Sequence, residues 1–223
     1  MWAFPGTKAP EVGATWWYNW KPSQGGGNAP GFVPMIWGER DNLTLVFKAL
    51  KGPGTLLGFN EPDNCGRGGT CLSVQRAIQI WPRLEGTGRR LGSPAVAWDY
   101  TWLDKFLAAG CHVDFLALHH YELSLEDPEQ AAVRTVAFLA EKHQRYNLPI
   151  WFTEFGALWD NNQDRISRYI RALVPKLEQL PYLERYAWFS DHAYGSAWAS
   201  ALWDNQGSLT ETGRVYACPS CEH

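Results

Sequence analysis

Leu56-Leu57-Gly58-Phe59-Asn60-Glu61-Pro62-Asp63 is an apolar run that ends on an amide, a glutamate and a proline. It places the glutamate where a buried strand should emerge into a loop. A second stretch, Trp151-Phe152-Thr153-Glu154-Phe155-Gly156, repeats the arrangement much later in the chain. Two carboxylates remote in sequence but brought to one mouth are the equipment for cleaving a glycosidic bond.

Working outward, apolar or β-branched runs recur at Val12–Trp20, Phe32–Trp37, Thr55–Asn60, Arg90–Ala97, Val113–Tyr121, Leu148–Phe155 and Arg185–Ser190. Helical patterns lie between the later ones. Asp127, Pro128 and Gln130 form a cap for a helix over Pro128–His143, whose stripe reads Val133, Val136, Ala137 and Ala140. Ile166, Tyr169, Ile170, Leu173 and Leu177 predict a helix over Arg165–Gln179, which Pro175 should kink or shorten. Weaker helices are predicted at Leu43–Leu50, Ser73–Leu84 and Tyr100–Ala109. Asn205-Gln206-Gly207 reads as a hairpin turn, followed by a short helix over Thr210–Ala217.

Strand alternating with helix predicts an α/β fold with a parallel sheet. Counting Trp2–Phe4 as a short first strand gives eight, hence a compact (β/α)8 TIM barrel in which some helices are replaced by loops. The links at Gly6–Glu11 and Lys21–Gly31 are too short or too rich in Gly and Pro for full helices. Residues 1–223 then form a single catalytic domain. Glu61 ends the fourth strand and Glu154 the seventh, at the end of the barrel where active sites are built. A doubly wound nucleotide fold is a poor fit, because Gly25-Gly26-Gly27 is followed by no helical pattern.

Thirteen tryptophans are far more than a chain of 223 residues ordinarily carries, which suggests aromatic surface suited to sugar rings. A net charge of −3 without a basic cluster argues against nucleic acid. No apolar stretch reaches transmembrane length, so no membrane partner is expected. Met1–Gly6 shows no basic or apolar leader; a secreted or periplasmic location is nonetheless expected, with no signal visible in this stretch. Cys65 and Cys71 flank a Gly-rich loop that a disulfide could pin. Cys218 and Cys221 form a CxxC without the two further ligands that zinc would need, and no metal or other cofactor is expected. Cys111 is read as a buried thiol.

Asn60-Glu61 with a second glutamate three strands later resembles the clan of retaining (β/α)8 glycoside hydrolases. "LLGFNEPD", "LGSPAVAW", "DFLALHHY" and "PIWFTEFG", with "WWYNW" and "FVPMIWG", resemble glycoside hydrolase family 128, the endo-β-1,3-glucanases. The resemblance implies Glu61 as general acid/base, Glu154 as nucleophile and laminarin-type β-1,3-glucan as substrate. It implies that Trp188 floors a sugar subsite, as in the wider clan. Asn60 is placed to hydrogen-bond a sugar 2-hydroxyl or to serve as a turn residue. His119 and His120 should point to opposite faces of their strand, which parity alone does not assign. Tyr121 is placed to touch the nucleophile. Trp20 and Trp37, at strand ends, are candidate platforms, while for each of Trp98, Trp102, Trp159, Trp198 and Trp203 platform and core weigh about equally. Trp81 and Trp151 are read as core. Asp63 and Asp191 are further carboxylates near the mouth. A monomer is expected. The alternatives are a related barrel acting on β-1,4-glucan or mannan, and a non-catalytic glucan-binding protein.

Overall fold

The computed structural model describes residues 6–25, 28–39, 43–66 and 68–221. The predicted strand Trp2–Phe4 lies outside them. The chain forms two compact units, one of Trp16–His119 and one of the residues up to Thr15 with those from His120 onward.

In the first unit the predicted strand segments lie side by side in chain order, all parallel. Trp17 bridges Phe32, and Met35 bridges Leu57. Strand β1 (Thr55–Leu56) pairs with β2 (Arg90–Leu91). Asn60 bridges Ala95, and Gly92 bridges Phe115, just before β3 (Leu116–His119). Regular ladders are short because glycine and proline interrupt them where segments approach closely. A Cβ on Gly58 would lie 2.8 Å from Gly92 O, and one on Gly92 would lie 2.6 Å from the Phe115 ring. Five regular strands therefore form among the described residues, fewer than the eight segments predicted.

Helices α1 (Leu43–Ala49), α2 (Val74–Glu85) and α3 (Tyr100–Ala108) follow the predicted positions within a residue or two. Ser73 caps α2 and Asp99 caps α3 by accepting backbone N–H bonds. Fully buried Trp81 packs edge-on against Phe106 at 4.8 Å and against Phe59 at 5.7 Å, and its indole N–H donates to His112 O.

In the second unit α4 spans Pro128–Tyr146, opened by Asp127 and closed by Asn147 in the left-handed conformation. Its buried face differs from the predicted stripe. Val133, Ala137 and Ala140 are exposed, whereas Ala131, Ala132, Thr135, Leu139 and Lys142 are buried. Hydrophobicity misleads here because Thr135 is fully satisfied inside, bonded to Ala131 O at 3.1 Å and to the Tyr169 hydroxyl at 2.8 Å. Helix α5 (Gln163–Leu177) buries all five residues of its predicted stripe and ends two residues after Pro175. Burying such side chains stabilises by about 1.5–3 kcal/mol each, as an upper estimate. Strand β4 (Ile150–Phe155) runs parallel to β5 (Leu183–Trp188), with Phe155 opposite Trp188. Trp203 bridges Leu209 across the predicted hairpin, and α6 (Glu211–Ala217) follows.

The fold is thus α/β, of helices and parallel strands. Cys65 is bonded to Cys71 and Cys218 to Cys221, so the CxxC offers no thiolate to a metal. Cys111 is free but only partly buried, which corrects its reading as a buried thiol; burial pushes its thiol up to about 11. No helix of the described residues is long and apolar enough to cross a membrane.

Candidate active site

In the first unit the Asn60 and Glu61 backbone N–H groups donate to Trp37 O and Ala95 O, at 3.0 and 2.8 Å, anchoring the motif between neighbouring segments. The chain turns abruptly at Glu61, whose φ is +41°. A non-glycine residue in that region costs about 1–3 kcal/mol and persists only where its surroundings enforce it. Here the enforcement comes from the next loop. Asn64 N–H and Thr70 N–H both donate to Glu61 O, Leu72 N–H donates to Pro62 O, and the Cys65–Cys71 disulfide closes the turn.

The Glu61 carboxylate is held at both oxygens. His119 Nδ1 donates to Oε1 at 3.0 Å and Asn64 Nδ2 to Oε2 at 2.8 Å. Burial pushes the carboxyl up, but the hydrogen bond and charge of His119, with the hydrogen bond from Asn64, outweigh it and leave Glu61 below its ordinary range. Asn60 is 4% exposed. Its Nδ2 donates to Gly68 O at 2.9 Å, while Oδ1 is buried with no hydrogen-bond partner among the described residues. An orphaned acceptor of this kind is costly, and a ligand hydroxyl would satisfy it.

Asp63 is a structural clamp. Its carboxylate accepts the backbone N–H groups of Ala97, Trp98 and Asp99 at 2.8–2.9 Å, fixing the turn before α3. That turn presents Trp98, 65% exposed, to solvent. Trp20 and Trp37 are each half-buried, Trp20 tilted against Tyr18 at 4.9 Å. Trp102 is core, its indole N–H donating to Leu72 O.

In the second unit Glu154 is the penultimate residue of β4 and 5% exposed. The Tyr121 hydroxyl donates to its Oε2 at 2.7 Å, and its backbone O accepts from His120 N–H at 3.0 Å. The two histidines are now assigned: His119 meets Glu61, and His120 stacks on Phe138 of α4 at 4.2 Å. His120 Nε2 also donates to Glu122 Oε1 at 3.1 Å, while the Arg134 guanidinium binds Glu122 Oε2. Burial pushes Glu122 up, but the bonds from His120 and Arg134 prevail and hold it below its ordinary range. This charged network braces the segment that carries Tyr121.

Trp188 corrects its expectation as a sugar floor. It is 7% exposed, packs on Phe155, Tyr169 and Tyr216, and donates its indole N–H to Ser200 O. Successive strand residues face opposite ways, so Trp188 shares the helix-covered side with Phe155 while Glu154 faces away. The aromatic on the Glu154 side is Phe189, edge-on to Tyr121 at 6.0 Å. Phe189 and Asn64 were missed in the sequence; parity from Glu154 would have found the first, but nothing marked the second. Asp191 pairs locally with His192, and Trp203 is core, bonded to Glu11.

Comparison with known proteins gives these residues a context. The family described as glycosyl hydrolase catalytic core matches residues 5–216. Among solved structures, a glutamate-to-alanine variant of a GH128 subgroup I endo-β-1,3-glucanase from Amycolatopsis mediterranei, in complex with laminaritriose and laminaribiose, is 33% identical. The match covers 98% of this chain and 96% of that one, with a TM-score of 0.81. A variant of the same enzyme with glutamine at a different glutamate holds laminarihexaose. A subgroup II endo-β-1,3-glucanase from Sorangium cellulosum is 27% identical, covering 97% and 96% of the two chains with a TM-score of 0.83. Alkali-sensitive linkage protein 1 of Schizosaccharomyces pombe is 28% identical over 92% of this chain, which spans 40% of that protein's length. By these matches the chain is a glycoside hydrolase and belongs to the glycosyl hydrolase catalytic core family, within glycoside hydrolase family 128.

Proposed function

We propose that the protein is a retaining endo-β-1,3-glucanase acting on laminarin-type glucans, with Glu154 as nucleophile and Glu61 as general acid/base. The observation that carries this reading is the pair of strand-end glutamates, each held by hydrogen-bond donors of its own unit. In a related enzyme, variants at two different glutamates were captured with laminari-oligosaccharides, as expected where such residues perform the chemistry.

In the proposed reaction Glu154 attacks the anomeric carbon while Glu61 protonates the departing oxygen; water activated by Glu61 then releases the sugar. Tyr121 orients the Glu154 carboxylate through its hydroxyl. In the free enzyme His119 and Asn64 favour the carboxylate, the form needed to activate water. A glucan covering the pair excludes solvent and strengthens the opposing influence, burial, which favours the acid form. Asn60 Oδ1 accepts a hydroxyl of the sugar at the cleaved bond.

The reading further holds that the parallel segments close into one (β/α)8 catalytic domain with the two carboxyl groups about 5–5.5 Å apart, the retaining spacing. The enzyme acts as a monomer without a metal. Its two disulfides suit an oxidising, extracellular or periplasmic compartment. Product analysis on laminarin, cellulose and mannan tests the substrate: short oligosaccharides from laminarin alone support it. Release from cellulose or mannan in preference, or binding without turnover, overturns it.

A further inference from the structure

The side-chain amide of Asn64 is bonded at both ends. Its Nδ2 donates to Glu61 Oε2 at 2.8 Å, and its Oδ1 accepts the Gly66 backbone N–H at 2.8 Å. Turned over, the amide would set its carbonyl against the carboxylate and its NH2 against a backbone N–H, losing both bonds. Gly66 therefore locks Asn64 as a donor to Glu61. His119 Nδ1 holds the other oxygen, so the carboxylate cannot rotate about its last side-chain bond without breaking a hydrogen bond. The adjacent carboxylate is engaged elsewhere: Asp63 accepts from the backbone N–H groups of Ala97, Trp98 and Asp99.

The loop from Asn64 to Leu72 is shaped around this amide. Cys71 N–H donates to Asn64 O at 3.1 Å, beside the Cys65–Cys71 disulfide, and Cys71 takes the left-handed φ of +49°. Gly69 packs directly on Asn64. A Cβ at Gly69 would lie 2.0 Å from Asn64 O and 2.5 Å from Asn64 Cβ, so a larger residue would drive Asn64 away. At the loop's exit the Trp102 indole N–H of α3 donates to Leu72 O at 2.9 Å. A covalent tie, a left-handed cysteine and a forced glycine all converge on where one side chain stands.

We propose that Asn64 is a positioning residue for proton transfer at Glu61, held in place by the loop that the Cys65–Cys71 disulfide closes. The proposal rests on Glu61 being the general acid/base. A proton reaches the departing oxygen only along a narrow direction, and a carboxyl free to rotate spends much of its time aimed elsewhere. Asn64 acts through Glu61 and need not touch the sugar.

The test compares two leaving groups in the full chain. Laminarihexaose needs its departing sugar protonated, whereas a dinitrophenyl β-laminaribioside loses a phenolate that needs no proton. Glu61→Ala is the reference and should lower kcat/KM far more for laminarihexaose. Asn64→Asp keeps an oxygen for Gly66 N–H, so the loop survives, but removes the donor and sets a second carboxyl beside Glu61. Its kcat/KM on laminarihexaose should fall about tenfold or more, while kcat/KM on the aryl glycoside stays with the parent. Like charge favours the acid form of Glu61, so the alkaline limb of the laminarihexaose profile should move to higher pH. Cys65→Ala plus Cys71→Ala should reproduce the selective loss, and Cys218→Ala plus Cys221→Ala should not. An Asn64→Asp protein with parental rate and limb makes Asn64 a turn residue and overturns the proposal. Equal losses on both substrates overturn it as well. A Cys65 and Cys71 double variant with the parental ratio of the two rates overturns the role given to the disulfide. If Glu61→Ala itself loses both substrates alike, the acid/base reading has failed, and the assignment of Asn64 falls with it.

Discussion

Glu61 and Glu154 are presented by different means. Glu61 leaves its segment on a left-handed turn, is enclosed by a disulfide-braced loop, and is gripped by an amide and a histidine. Glu154 sits near the end of a six-residue strand whose register against β5 shifts between Phe152 and Phe155, with the Tyr121 hydroxyl on its carboxylate and, behind Tyr121, the Glu122–Arg134–His120 network. The difference matches the tasks proposed for them. A residue that must give and then take a proton needs partners whose influence shifts when substrate covers it. A nucleophile needs a fixed oxygen, which its place near the strand end and the Tyr121 hydroxyl favour.

The largest test of this contrast is Glu154→Gln, expected to lower kcat by about 10^4-fold or more, as nucleophile removal does elsewhere. Glu61→Ala should cost about 10^2–10^4-fold, and azide should restore turnover of a substrate with a good leaving group. Similar azide rescue of both variants, with the same product anomer, would erase the proposed division of roles. Trp188→Ala should cost about 3–5 kcal/mol of stability, seen as a lowered melting temperature, while the protein that remains folded keeps its kcat/KM. The reverse pattern would return Trp188 to the site.

His119→Gln sharpens the comparison from the Glu61 side. It removes charge that holds Glu61 down, so the Glu61 limb of the pH–kcat/KM profile should move to higher pH, with activity falling about tenfold for one hydrogen bond to a charged group. A limb that stays in place would sever Glu61 from His119. The smallest effect is expected for Glu122→Gln, a loss of about 1–3 kcal/mol of stability at neutral pH. Because the folded protein depresses the Glu122 pKa, its ionisation stabilises above the ordinary carboxylate range, and that contribution fades as pH falls through the lower folded value. The melting-temperature gap between parent and variant should therefore close in acid.

The strand-end placement of both glutamates and the helix positions were legible in the sequence, because apolar runs, N-caps and periodic stripes are local patterns. What eluded it depends on facing. The buried side of α4 turned on Thr135 satisfying its hydroxyl inside, which a hydrophobicity stripe cannot register. Trp188 and Phe189 are neighbours of equal apolar character; only the packing of Phe155, Tyr169 and Tyr216 shows which of them is core. Asn64, an ordinary loop amide by sequence, reaches Glu61 because the loop folds back on itself. The exposure of Trp159 and Trp198, against the burial of Trp102 and Trp203, is likewise set by tertiary contacts.

The central claim is that one carboxylate attacks the sugar while the other handles the proton. The most direct measurement follows the anomeric protons of newly released ends by NMR during the first minutes of laminarin hydrolysis. The account predicts that the β-anomer appears first and only later equilibrates with α. Initial appearance of the α-anomer would mean inversion by direct attack of water, and would remove Glu154 from its role as nucleophile.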